Sequence, residues 1–164
     1  SQIGFKIHSR PSQREVFRNR VFSGETLMSI WYGLENGIPS AEMSPAEFAP
    51  TTQQQLQWPM WGQYYETKGA AGEAPDTPEA ALLQQLFEAW RAARTSEERR
   101  EIWQRILSIY SEQVYSIGLI GGILQPVAVR KSLRNVPEEA VYNWEPGAQF
   151  GIYRPDTFWF DGKG

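Results

Sequence analysis

Apolar and polar residues alternate over Ile3-Gly4-Phe5-Lys6-Ile7-His8, the period of a half-buried strand. Pro11 then stands where a helix can begin, and Val16, Phe17 and Val21 fall on one side of a helix that should end near Gly24. Basic Arg14, Arg18 and Arg20 form its solvated face. Apolar Leu27, Met28, Ile30 and Trp31 predict a second strand over Thr26 to Trp31, so the opening reads β-α-β, a unit that usually makes two parallel strands with a right-handed crossover.

From Gly33 to Pro75 neither helical nor strand periodicity is legible, apart from a helical turn at Ser44-Pro45-Ala46-Glu47-Phe48. Asn36, Gly37 and Pro39 are turn formers, and Gln, Pro and aromatic residues crowd the stretch up to Tyr65. A loop of such length inside a domain is uncommon and, when ordered, usually functional. It therefore reads as a binding wall.

Thr77-Pro78-Glu79 is a strong helix start, with a capping Thr, Pro at the first helical position and a carboxylate in the first turn. Leu82, Leu83, Leu86, Phe87, Trp90 and Ala93 then form one apolar stripe. Thr95 and Glu98 have capping-box spacing and open a second helix, whose stripe is Ile102, Trp103, Ile106, Leu107, Tyr110 and Val114. The short link predicts a helix hairpin. Beyond it, Tyr115 to Ile120 and Val127 to Val129 are β-rich pieces broken by Gly121, Gly122 and Pro126, and the tail is aromatic and interrupted by proline. Phe150, Tyr153, Phe158, Trp159 and Phe160 would be exposed on a free end, and so large an apolar patch normally has a partner.

Composition narrows the function. A net charge of −3 and a pI near 5.3, with no basic patch, argue against a nucleic-acid partner, since neutralising phosphates needs surplus Lys and Arg. Cysteine is absent, which removes disulfides, thiol nucleophiles and thiolate metal sites. Apolar runs are too short to span a bilayer. The chain opens on Ser-Gln-Ile-Gly without initiator Met or signal sequence, and is expected to be a piece of a longer polypeptide. The 7 tryptophans point to a cleft, because the indole N–H favours positions with one apolar and one polar end.

Candidate chemistry is sparse. His8, the single histidine, has no neighbours that would make it a triad member or metal ligand, and reads as structural or solvent-facing. Glu35, Glu42 and Glu47 could be grouped as an acid/base set, but solvated loop carboxylates are the simpler reading. Gly118, Gly121 and Gly122 lack the lysine and helix start of a phosphate loop and read as a turn or bulge. Trp90 and Trp103 belong to helix stripes and hence to the core. Trp31, Trp58 and Trp61 either line a ligand or pack the loop.

RNRVFSGETLMSIW, YGLENGIPSAEMSPAEFAP, QWPMWGQYYETKG, SEERREIWQRILSIYSEQVYSIG, QPVAVRKSLRNVP and YNWEPGAQFGIYRPDTFWF together resemble the C-terminal part of a family 5 extracellular solute-binding protein. These are the peptide-type receptors of bacterial ABC importers. The resemblance covers nearly the whole chain and carries no catalytic signature. It implies an α/β fold, with a mixed sheet, β-α-β opening and helix hairpin as part of a two-lobed type II periplasmic binding protein. Residues 1–130 would belong to the second lobe, with a hinge crossing near Gln125 to Arg130, and residues 131–164 would return to pack on the first lobe.

The function so implied is non-enzymatic, periplasmic or extracytoplasmic, and needs no cofactor or metal. A peptide or similar small polar solute would bind in the interlobe cleft and be delivered to the permease subunits. Trp31 and Tyr32 would be aromatic walls, Glu35, Asn36 and Gln63 polar contacts, with Trp58 and Trp61 also lining the ligand. Many peptide binders of the family end a strand in Gly-Trp, with a nearby aspartate for the ligand's amino terminus. Here Ile30 precedes Trp31 and Leu34 takes the aspartate's place, with Glu35 the nearest substitute. The ligand class thus widens to opines, modified peptides and sugar-like solutes. A carbohydrate-binding or glycan-processing module, using exposed tryptophans and loop carboxylates, is the competing reading. A third is a docking domain whose aromatic tail packs on a partner.

Overall fold

The computed structural model describes residues 4, 6, 8–32, 40–121, 124, 126–140 and 153–162. It divides into two units. The first comprises Ser1–Ile30 and Ser44–Gln113, and the second Trp31–Met43 and Val114–Gly164.

In the first unit, α1 (Arg14–Phe22) buries Val21 and half-buries Phe17, while Val16, expected on the same side, is exposed. It closes in a Schellman motif: Gly24 N–H donates to Val21 O and Glu25 N–H to Arg20 O, both at 3.0 Å, while Gly24 takes φ +76°, a left-handed value that glycine adopts without a steric penalty. The predicted strand at Ile3–Ile7 lies largely outside the described residues. The one predicted over Thr26 to Trp31 does not form: Leu27, Met28 and Ile30 are exposed, and no ladder includes them among the described residues. An apolar run becomes a strand only when another backbone satisfies its N–H and C=O groups.

The expected turn at Ser44 to Phe48 is a 3-10 helix, Pro45–Phe48, opened by the Ser44 hydroxyl accepting from Ala46 N–H at 3.3 Å. Within the stretch expected to be irregular lies α2 (Pro59–Glu66). Its central Gly62 hides it from propensity, yet that glycine is what the packing needs. A Cβ there would sit 2.1 Å from the Thr52 carbonyl oxygen.

Next, α3 (Pro78–Ala92) starts where expected, with Thr77 Oγ1 accepting from Ala80 N–H at 3.3 Å. The box that opens α4 (Ser96–Gln113) is also formed: Glu98 N–H donates to Thr95 Oγ1 at 3.2 Å, and the Glu98 carboxylate accepts from Thr95 N–H at 3.1 Å and Arg94 N–H at 2.7 Å. The two helices pack as the predicted hairpin. Of the stripes, Leu83, Leu86 and Ile106 are buried along with Ala80, and Trp90 and Trp103 are half-buried. Leu107 and Val114 of the α4 stripe are exposed. Leu107 sits at the stripe's edge, and Val114 has left the helix with φ +52°.

The core lies where α3, α4 and the 3-10 helix meet. Phe48 packs edge-on against Trp103, with ring centroids 5.0 Å apart, and against Tyr110 at 4.8 Å. Trp58 meets Tyr110 at 5.9 Å and 86°. This burial stabilises the unit by about 1.5–3 kcal/mol per large apolar side chain.

In the second unit, β1 (Leu133–Arg134) and β2 (Trp159–Phe160) pair antiparallel, Leu133 opposite Phe160 and Arg134 opposite Trp159. Arg134 Nε donates to Asp161 Oδ2 at 2.8 Å, and Asn135 Nδ2 to Thr157 Oγ1 at 2.9 Å. The β-rich pieces Tyr115 to Ile120 and Val127 to Val129 are not strands; Ile117, Leu119, Ile120, Val127 and Val129 stand exposed. Without a neighbouring ladder, β propensity alone leaves such pieces extended and bare. Trp159 and Phe160 are exposed as expected of the tail, Tyr153 and Phe158 are half-buried, and Phe150 lies outside the described residues.

Candidate functional site

Of the residues expected to contact a ligand, Trp31 and Tyr32 fall in the second unit and Trp58, Trp61 and Gln63 in the first, while Glu35 and Asn36 lie outside the described residues. Trp31 and Tyr32 are adjacent and meet edge to face, centroids 5.2 Å apart at 73°. Tyr32 is 75% exposed and Trp31 40% exposed, so both keep aromatic surface for a partner.

Trp58 does not line a site in this structure. It is 3% exposed, and its indole Nε1–H donates to Gln55 Oε1 at 2.8 Å. The same oxygen accepts from Thr51 N–H at 3.2 Å, and Gln55 Nε2 donates to the Ala46 carbonyl. One buried carboxamide thus satisfies the tryptophan's polar end inside the protein, leaving no accessible indole face for a ligand.

Gln63 borders a shallow, open hollow of about 540 Å³. Its walls follow from helix geometry. Asn19 and Phe22 stand at i and i+3 on α1, with Ser23 as its C-cap, and Met60 and Gln63 at i and i+3 on α2, so each helix presents one face. Gln53 closes one end, its backbone N–H held by the Glu66 carboxylate at 3.0 Å. Gly62 lets α2 approach the Thr51–Gln55 turn, and Gly72, at φ +82° with its Cβ position only 2.4 Å from Met60 O, lets the chain pass behind α2. At the rim, the Arg18 guanidinium lies 5.0 Å over the Phe22 ring and bonds Gln54 Oε1. Trp61, half-buried on the same helix, is not among the lining residues.

Asn19, Phe22, Ser23, Gln53 and Met60 were not legible as a group. The α1 spacing was visible, but without α2 it had no opposing face. The proposed carboxylates do not form a visible acid/base set: Glu35 is outside the described residues, Glu42 belongs to the second unit and is exposed, and Glu47 belongs to the first, its backbone carbonyl accepting from Tyr110 Oη and Gln57 Nε2, each at 3.3 Å. His8 is exposed. Among the described residues no group of three or more His, Cys, Asp or Glu could hold a metal ion, and no helix is long and apolar enough to cross a membrane. Backbone donation from Arg94, then Thr95, pulls Glu98 below its ordinary value, and this belongs to the cap of α4.

No protein family, curated protein or solved structure matches this chain.

Proposed function

We propose that this chain is the C-terminal part of the substrate-binding component of an ABC importer, with the type II binding-protein architecture that its resemblance to family 5 solute-binding proteins implies. It takes a peptide or similar small polar solute in an interlobe cleft and delivers it to the permease outside the cytoplasmic membrane. The observation that carries this reading is the run of family-like phrases over nearly the whole chain, from RNRVFSGETLMSIW to YNWEPGAQFGIYRPDTFWF. Exposed Leu27, Met28 and Ile30 in one unit, and Ile117, Leu119, Leu124, Trp159 and Phe160 in the other, support it, because apolar surface on this scale normally packs on further polypeptide, here the first lobe. Trp31 and Tyr32 remain its aromatic walls, with Glu35, Asn36, Trp61 and Gln63 as further contacts; Trp58 supports the fold instead.

Native mass spectrometry of the protein released gently from its source, before and after denaturation, tests this reading. A bound small mass lost on denaturation is the expected result, and its fragmentation separates peptide from opine or sugar. A protein that stays empty in peptide and solute mixtures, and hydrolyses a glycan, would overturn it in favour of the loop carboxylates.

A further inference from the structure

The helix α4 ends one turn before its own apolar pattern does. It stops at Gln113, and Val114 takes φ +52°, the left-handed region that disfavours a β-branched side chain. Trp103, Ile106, Tyr110, Val114 and Ile117 are nevertheless spaced at three and four residues, so the stripe runs on unbroken to Ile117. Gly118 then stands where a glycine commonly ends a helix. In the structure that last turn is absent: Val114 is 56% exposed, Ile117 is 68% exposed, and residues 114–121 have no regular structure.

The left-handed residues that close α1, α2 and α4 are Gly24, Lys68 and Val114, and only the last is β-branched. What offsets its strain is visible one residue on. From Ser111 to Gly121 every residue is exposed except Tyr115, which is half-buried. On a continued helix Tyr115 would share the face of Ser108, Ser111 and Glu112, all exposed. The break at Val114 turns Tyr115 off that face. Two arrangements of the same residues therefore have opposite merits: the break strains Val114 and buries Tyr115, and the continued helix relieves Val114 and exposes Tyr115.

We propose that residues 114–117 are a two-state element, in which seated Tyr115 holds the break and withdrawal of Tyr115 lets α4 grow by one turn to Ile117. Strain at Val114 biases the element toward the helix, and burial of Tyr115 biases it away. The chain passes from the first unit to the second at Val114, so growth of the helix draws in this connection. Four residues span about 6 Å as helix, against up to about 13 Å as extended chain. A partner that takes up the Tyr115 side chain is thereby registered in the length of α4. The element depends on neither the ligand nor the permease of the proposed receptor.

The test is NMR of the whole chain, reading the Cα shifts of residues 114–117 and the hydrogen exchange of the amides that follow. Tyr115→Ser removes the seat at nearly unchanged helix propensity, and should move those Cα shifts to helical values. The Ile117 and Gly118 amides, which a continued helix would bond to the Gln113 and Val114 carbonyls, should then exchange severalfold more slowly than in the parent. Val114→Ala alters an exposed side chain and favours helix, so it should move the same shifts in the same direction even if Tyr115→Ser folds poorly. Val114→Gly keeps the break and relieves the strain, and should raise the thermal midpoint. Non-helical shifts in a folded Tyr115→Ser protein or in Val114→Ala, or a lowered midpoint in Val114→Gly, would each overturn the proposal. The mass-spectrometric test of the receptor is unaffected by any of these outcomes.

Discussion

The side-chain oxygen of Gln55 accepts the indole N–H of Trp58 at 2.8 Å, and through that bond a single amide ties the 3-10 helix, the Thr51–Gln55 turn and the start of α2 into one piece. The relationship moves Trp58 from the recognition surface to the framework. It also makes Gln55 the polar residue on which this irregular segment most depends.

Gln55→Leu should therefore lower stability by at least about 2 kcal/mol, because it leaves the Trp58 indole and the Thr51 N–H buried without their acceptor. Trp58→Phe removes one of those donors, so the double variant should cost less than the sum of the singles by roughly 0.5–1.5 kcal/mol. Urea unfolding of the four proteins measures the coupling. Strict additivity would mean that the bond carries no weight.

Gly62→Ala should destabilise by about 1–3 kcal/mol or more, since the new methyl group would meet the Thr52 backbone 2.1 Å away. Gly121→Ala, where a Cβ meets nothing within 4 Å, is the control and should change little. Equal thermal midpoints for the two would contradict the close approach of α2 to the turn.

Lys68 ends α2 at φ +53°, with Lys68 N–H donating to Tyr65 O and Gly69 N–H to Tyr64 O, the pattern of a Schellman motif with a lysine in the usual glycine place. Lys68→Gly should raise stability by up to about 1 kcal/mol by relieving the left-handed strain. A lower urea midpoint would show that the lysine side chain contributes more than its backbone costs.

Acid should weaken the start of α4. The folded-state pKa of Glu98 lies below its ordinary value because its carboxylate accepts the Arg94 and Thr95 N–H groups, so its contribution is present above the unfolded value and is lost as pH falls through the folded one. Glu98→Gln should flatten that part of the stability-against-pH curve and leave the neutral-to-mildly-acidic part parallel to the parent. Superimposable acid limbs for the two proteins would remove Glu98 from the account.

The helix hairpin and its caps were legible because their causes are local: Thr77 and Thr95 lie within four residues of the N–H groups they cap, and Leu83, Leu86 and Ile106 repeat at the helix period. The same holds for Gly24 and Pro45, whose backbone preferences act on their own turns. The helix α2, the burial of Trp58 and the hollow beside Gln63 were decided by contacts between residues far apart in sequence, Gly62 against Thr52, Trp58 against Tyr110 and α1 against α2. Strands show the opposite failure. Leu27 to Trp31 and Tyr115 to Ile120 carry the side chains of strands, but a strand's hydrogen bonds belong to its neighbour, and side-chain pattern cannot supply that neighbour.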